Sequence, residues 1–64
     1  PFTIEEAPAF VESNMQSNGY TQVSKNVGQA GEIIYLFQRD QKAVSITLTD
    51  TEDGNTRFQF ATGP

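Results

Sequence analysis

The chain of 64 residues has no cysteine, histidine or tryptophan, and its eight acidic and four basic residues give a net charge of −4. The missing residue types exclude disulfides, thiolate or imidazole metal sites and catalysis by a nucleophile–histidine pair. The basic residues are scattered singly, which argues against nucleic acid or an anionic membrane as a partner, and the longest apolar run, 33–37, is too short to span a bilayer.

The N-terminal part of the chain has apolar residues at helical spacing, namely Ile4, Ala7, Phe10, Val11 and Met15. Thr3 and Glu6 have the spacing of a capping box. A helix that starts at Ile4 is obstructed by Pro8, because the proline ring crowds the carbonyl group four residues earlier. Two arrangements fit: a bent helix, or a separate first turn followed by a regular helix. The second is favoured, with the regular helix over 8–17.

The dipeptide Asn18-Gly19 marks the end of this helix. Glycine adopts the left-handed conformation that follows a helix C-cap, and Tyr20 would then pack back on Met15. Asn-Gly is also a common hairpin turn. The change from helical to alternating spacing across the dipeptide favours the helix stop.

Apolar residues alternate after Gly19, which is typical of strands with one buried face. The alternation and the turn signals predict four strands, over 20–27, 32–39, 42–50 and 56–61. The connections are the glycine-containing segment 28–31, the pair Asp40-Gln41 and the turn 52–55, which includes Asp53-Gly54. Connections this short predict antiparallel pairing in the order 1-2-3-4.

These elements predict one α+β domain over 1–64, a two-layer αββββ sandwich with the helix packed on a four-stranded antiparallel meander. The helix would pack through Phe10, Val11 and Met15, with Phe10 as its anchor. The sheet residues expected to face the helix are Ile34, Leu36, Val44, Ile46, Leu48, Phe58 and Phe60.

The opposite side of the sheet is the candidate site. With Ile34 and Leu36 under the helix, the second strand would expose an apolar strip, formed by Ile33, Tyr35, Phe37 and Arg39, with Tyr20 at its rim. A contiguous exposed apolar strip usually marks a protein-binding surface. Two alternatives are an inverted register of this strand, and a strip that packs on a segment outside this sequence.

Acidic residues give no catalytic or metal motif. The segment 50–55 resembles a calcium loop in composition, but Gly54 falls at position five and the spacing of an EF-hand is not met. Glu5, Glu6 and Glu12 could form an acidic helix face, although helix capping accounts for two of them. No base accompanies the serines and threonines, so the sequence predicts no enzymatic activity and no cofactor or metal.

The sequence therefore predicts a non-catalytic protein-binding or assembly module. Its partner would be another protein or a second copy, with homodimers formed by opposed sheet faces or by edge strands across a two-fold axis. One alternative is a small acidic inhibitor of a basic or nucleic-acid-binding protein. Another is a fragment of a larger protein, an expectation that the initial Pro1 also suggests.

Overall fold

A computed structural model describes residues 2–63, which form one helix followed by a four-stranded antiparallel sheet. The elements are α1 (Ala7–Ser17), β1 (Thr21–Val27), β2 (Ile33–Arg39), β3 (Lys42–Asp50) and β4 (Thr56–Gly63). The strands lie in the order β1-β2-β3-β4, and each neighbouring pair is antiparallel. The predicted α+β architecture is confirmed, and β4 continues beyond the predicted end at residue 61. Pro1 and Pro64 lie outside the described residues.

The N-terminus closes into a separate turn before the helix, as the favoured arrangement predicted. The Glu6 N–H donates to Thr3 Oγ1 at 3.3 Å, and the Thr3 N–H donates to the Glu6 carboxylate at 3.1 Å. These are the two bonds of a capping box. The helix then begins at Ala7, whose N–H donates to the Thr3 carbonyl at 2.9 Å. Pro8 occupies the first turn of α1, where a helix has no partner for an N–H.

The helix ends in a Schellman motif, which confirms the predicted stop at Asn18-Gly19. Gly19 has a φ of +84°, its N–H donates to the Gln16 carbonyl at 3.0 Å, and the Tyr20 N–H donates to the Met15 carbonyl at 3.0 Å. The left-handed conformation is the reason that glycine stands here.

The hydrophobic core lies between α1 and one side of the two central strands. Its buried members are Ala7, Val11, Tyr35, Phe37, Ile46 and Leu48. The rings of Tyr35 and Phe37 stack with centroids 5.3 Å apart, and Tyr35 lies opposite Ile46 on β3. We call this helix-covered side of the sheet, which carries Tyr35 and Phe37, the inner side.

The predicted register of β2 is wrong, and the alternative of an inverted register is the one observed. Tyr35 and Phe37 lie beneath the helix, whereas Ile34 and Leu36 are each 37 % exposed on the opposite side. The run 33–37 is apolar at every position, so alternation within it cannot select a face. Burying the two aromatic rings removes more apolar surface from water than burying the two aliphatic side chains, and the inward register achieves this.

Phe10 is not the anchor of the helix. It is 45 % exposed, whereas Val11 is 4 % and Ala7 0 % exposed. The Phe10 ring lies at the edge of the core, stacked on Phe2 with centroids 4.5 Å apart and edge-on to Phe58 at 6.3 Å. Two small side chains thus form the buried part of the contact, and Met15, as predicted, packs partly buried against the same core.

Within residues 2–63, no helix is long and apolar enough to cross a bilayer.

Candidate functional site

The four residues predicted to bind a partner do not form an exposed strip. Tyr35 and Phe37 are buried, and Ile33 packs against the core. Arg39 lies on the same inner side at the end of β2, with its guanidinium carbon 4.5 Å from the centroid of the Tyr20 ring. These positions share one side of the sheet, as predicted, but it is the side that α1 covers.

Arg39 has a structural partner at the end of the helix. Its Nη1 donates to the Asn18 carbonyl at 2.7 Å, so a cation meets the negative end of the helix dipole. The stacked Tyr20 ring adds a cation–π contact. Arg39 therefore ties the C-terminus of α1 to β2, and Tyr20 packs with it rather than at the rim of an open surface.

A polar network that the sequence did not predict links the helix to β1 and β2. The Tyr35 hydroxyl donates to Glu12 Oε2 at 2.5 Å, and Lys25 Nζ lies 3.2 Å from the same oxygen. Lys25 Nζ also lies 5.6 Å from the centroid of the Tyr35 ring. The sequence alone gave no direct signal for this network. The inner-side position of Lys25 can be recognised only once the pairing of Lys25 with Tyr35 is known.

The network shifts two pKa values in opposite directions. The hydrogen bond from Tyr35 holds the pKa of Glu12 below its usual value; Lys25 lowers it further, and partial burial opposes both effects. Burial, reinforced by the Glu12 carboxylate, raises the pKa of Tyr35 above its ordinary range. Tyr35 thus keeps its proton at neutral pH and donates it to Glu12, so the group acts as a structural tie between helix and sheet.

Glu12 should make the free energy of unfolding depend on pH in the acidic range. Because folding lowers its pKa, the stabilisation is present above the ordinary carboxyl pKa and is lost as pH falls through the pKa of the folded state. We expect the free energy of unfolding, measured by urea denaturation from neutral to acidic pH, to fall more steeply for the native chain than for Glu12→Gln. Glutamine keeps an acceptor for Tyr35 but cannot titrate.

The pKa of Asp53 is also lowered by folding, so this residue requires its own control. Its Oδ1 accepts hydrogen bonds from the Thr51 hydroxyl at 2.5 Å and from the Asn55 N–H at 3.3 Å, which lower its pKa. Asp53→Asn should flatten the acid dependence independently of Glu12→Gln, because the two sites share no partner. Equal slopes for the native chain and Glu12→Gln would contradict the role of Glu12.

The acidic groups are largely engaged within the chain. The Glu6 carboxylate belongs to the capping box, the Glu12 carboxylate binds Tyr35 and Lys25, and the Asp53 carboxylate closes its own turn. Within residues 2–63, no three carboxylates gather as a metal site would require. The acidic helix face that an inhibitor would use is therefore weakened, because the carboxylates of Glu6 and Glu12 already have partners within the chain.

The side of the sheet opposite α1 is the principal open surface, and we call it the outer face. It comprises the strand positions in register with Ile34 and Leu36, which include Ser24, Asn26, Ser45, Thr47, Arg57, Gln59 and Ala61. Among residues 2–63, no second layer packs on it, since the helix lies on the inner side. Ile34 and Leu36 lie on β2, inside the sheet rather than at its edge.

A second apolar surface lies where β4 passes the N-terminus of the helix. Phe2 and Phe10 pack on Phe58, and Phe60, two residues further along β4, is 65 % exposed. Phe60 lies opposite Ile46 and so belongs to the inner side, as predicted, but the helix does not reach it. The sequence did not indicate this, because alternation predicts the face of a residue and not the width of the layer above it.

Comparison with known proteins gives no match to this chain among protein families, curated proteins or solved structures.

Proposed function

We propose that the chain is a non-catalytic protein-binding or assembly module that acts through the outer face of its sheet. The observation that carries the proposal is the exposure of Ile34 and Leu36 on a central strand, on a side without a second layer among residues 2–63. Apolar side chains in the middle of an open sheet face lose contact with water only when another surface covers them.

The distribution of charge supports this proposal. Of the five charged residues within the strands, only Arg57 lies on the outer face; the inner-side register contains Lys25, Arg39, Lys42 and Asp50. A sheet side that faces water ordinarily carries the charges, while the core side excludes them. The reverse arrangement fits a face that is covered in use, since the centres of protein interfaces are depleted of charge.

The neighbours of the two apolar residues also suit an interface. Ile34 lies between Asn26 and Thr47, and Leu36 lies between Ser24 and Ser45. These short polar side chains leave the larger aliphatic groups raised above the face and supply hydrogen-bonding groups around them. An apolar centre with a polar surround is the usual anatomy of a protein interface. Among the described strand residues of this face, Arg57 is the only cation that a nucleic-acid backbone would meet.

The test is a binding comparison between the native chain and the double variant I34T/L36T. Threonine is β-branched and suits a strand, so the fold should persist while the apolar centre is lost. The immobilised proteins are exposed to lysate of cells that produce the chain, and retained proteins are identified by mass spectrometry. We expect at least one protein to be retained by the native chain and reduced tenfold or more with the double variant.

Val27→Thr is the matched control, because Val27 is 69 % exposed but lies on the inner side, opposite Ile33. It removes exposed apolar surface without touching the outer face. Two results would contradict the proposal. One is equal retention of the partner by the native chain and both variants; the other is a loss of retention with Val27→Thr as large as with I34T/L36T. Circular dichroism of each variant establishes that the fold is intact.

A further inference from the structure

The two edges of the sheet differ in how they are protected. β1 has a register shift between Gln22 and Ser24, and it carries Lys25. An irregularity of this kind and a lysine are common devices that prevent an edge strand from pairing with another chain. β4 pairs with β3 from residue 56 to residue 63 without a register shift, and it contains neither proline nor lysine.

The outward edge of β4 is also bare of internal partners. Within residues 2–63, the hydrogen bonds outside the regular helix and sheet ladders include none from β4, whether to loop backbone or to side chains. An edge strand presents a regular row of N–H and C=O groups, and a second strand can satisfy all of them. Phe60, 65 % exposed, stands beside this edge.

The sequence of β4 is nearly symmetric about its centre, and this symmetry favours pairing with the same strand of a second copy. Outward from Gln59 the residues are Phe58 and Phe60, then Arg57 and Ala61, then Thr56 and Thr62. When two copies of such a strand pair antiparallel with Gln59 opposite Gln59, each Phe58 lies opposite a Phe60 and each Thr56 opposite a Thr62. Aromatic pairs and threonine pairs are favourable when they lie directly opposite each other across antiparallel strands.

We propose that a second copy of this chain pairs through β4, antiparallel and centred on Gln59, to form a homodimer with one continuous eight-stranded sheet. The two-fold axis is perpendicular to the sheet, so both helices lie on the same side and Phe60 is covered by Phe58 of the second copy. This pairing uses the strand edge and leaves both outer faces open; it does not rest on the function proposed above.

Charge is compatible with this arrangement. Each Arg57 lies opposite Ala61 of the second copy, so the two Arg57 residues are four positions apart, about 13 Å along the strands. That separation exceeds the screening length of about 8 Å at physiological salt. The net charge of −4 on each copy opposes association, and dimerisation should therefore strengthen as salt is added.

The first test is solution mass by sedimentation equilibrium from micromolar to millimolar concentration. The native chain should dimerise, and Phe60→Lys should stay monomeric because it places a charge at the edge where an aromatic pair would form. Val27→Lys is the matched control: Val27 is 69 % exposed on the inner side of the opposite edge strand, and its variant should dimerise like the native chain.

Three results would overturn the proposal. They are a native chain that remains monomeric at millimolar concentration, a Phe60→Lys variant that still dimerises, and an I34T/L36T variant that does not. The last result would assign the dimer to the outer face instead. Phe60→Lys should also keep the partner binding of the outer face, so failure of the edge and failure of the face are separate outcomes.

The second test uses the absence of cysteine from the native chain. Residues directly opposite in antiparallel strands have Cα atoms about 4.5–5.5 Å apart, within the range that a disulfide bridges. Gln59→Cys should therefore form a disulfide-linked dimer under mild oxidation. Arg57→Cys, on the same side of the same strand, should not, because its counterpart is too distant. Equal linkage of the two variants would overturn the pairing centred on Gln59.

Discussion

Replacement of Tyr35 by alanine should remove a large part of the stability of the protein. Tyr35 is fully buried in the middle of the core, and removal of a buried aromatic side chain costs about 3–5 kcal/mol. A chain of 64 residues has a total stability of roughly 3–10 kcal/mol. We expect the thermal midpoint, followed by circular dichroism, to fall by more than about 15 °C or the cooperative transition to disappear.

Tyr35→Phe is the control that separates the ring from the hydroxyl. It keeps the buried ring and loses only the hydrogen bond to Glu12, whose side chain is 41 % exposed and keeps Lys25 and water as partners. We expect a loss of about 1–2 kcal/mol. The register expected from the sequence makes the opposite prediction, since a residue on an open face tolerates truncation. A Tyr35→Ala variant as stable as the native chain would contradict the inward register of β2.

The second large effect is expected at Val11, and the comparison is with the adjacent Phe10. Val11→Asp places a carboxylate in a site that is 4 % exposed and lined by apolar groups, at a cost of about 3–5 kcal/mol. Phe10→Asp loses the stacking with Phe2 and the contact with Phe58 at a position that is 45 % exposed. We expect this second change to cost about 1–2 kcal/mol.

The same substitution at adjacent positions tests the rotation of the helix about its axis. Neighbouring helical residues point about 100° apart, so one change cannot mimic the other. Urea denaturation of the two variants gives the comparison directly. Severe destabilisation by Phe10→Asp together with a mild effect of Val11→Asp would mean that α1 is docked through the face expected from the sequence.

Local signals predicted most of the fold. The capping box at Thr3 and Glu6, the glycine at position 19 and the Asp53-Gly54 turn each act within a few residues of sequence, so they can be recognised without knowledge of the rest of the chain. Element bounds followed from these signals to within one residue, except at the end of β4, which lies two residues beyond the predicted end.

The errors arose where the answer depends on tertiary packing. β2 is apolar on both faces, and which face is buried depends on the space left beneath Ala7 and Val11. The preference for Phe10 as the anchor followed from its size, but a large side chain is also suited to the border of a core. The bond from Tyr35 to Glu12 joins residues 23 positions apart, and no local pattern announces it.

The nearest-neighbour order of the strands has a kinetic consequence. Strands are joined through segments 28–32, 40–41 and 51–55, so every strand pair closes a short loop at small entropic cost, and single hairpins form in microseconds. The helix is different, because its buried residues share the core with Ile46 and Leu48, more than thirty positions away. The slow event in folding should therefore be the docking of α1 across a largely assembled sheet. The contacts of the helix should accordingly be mostly absent from the transition state and form after it.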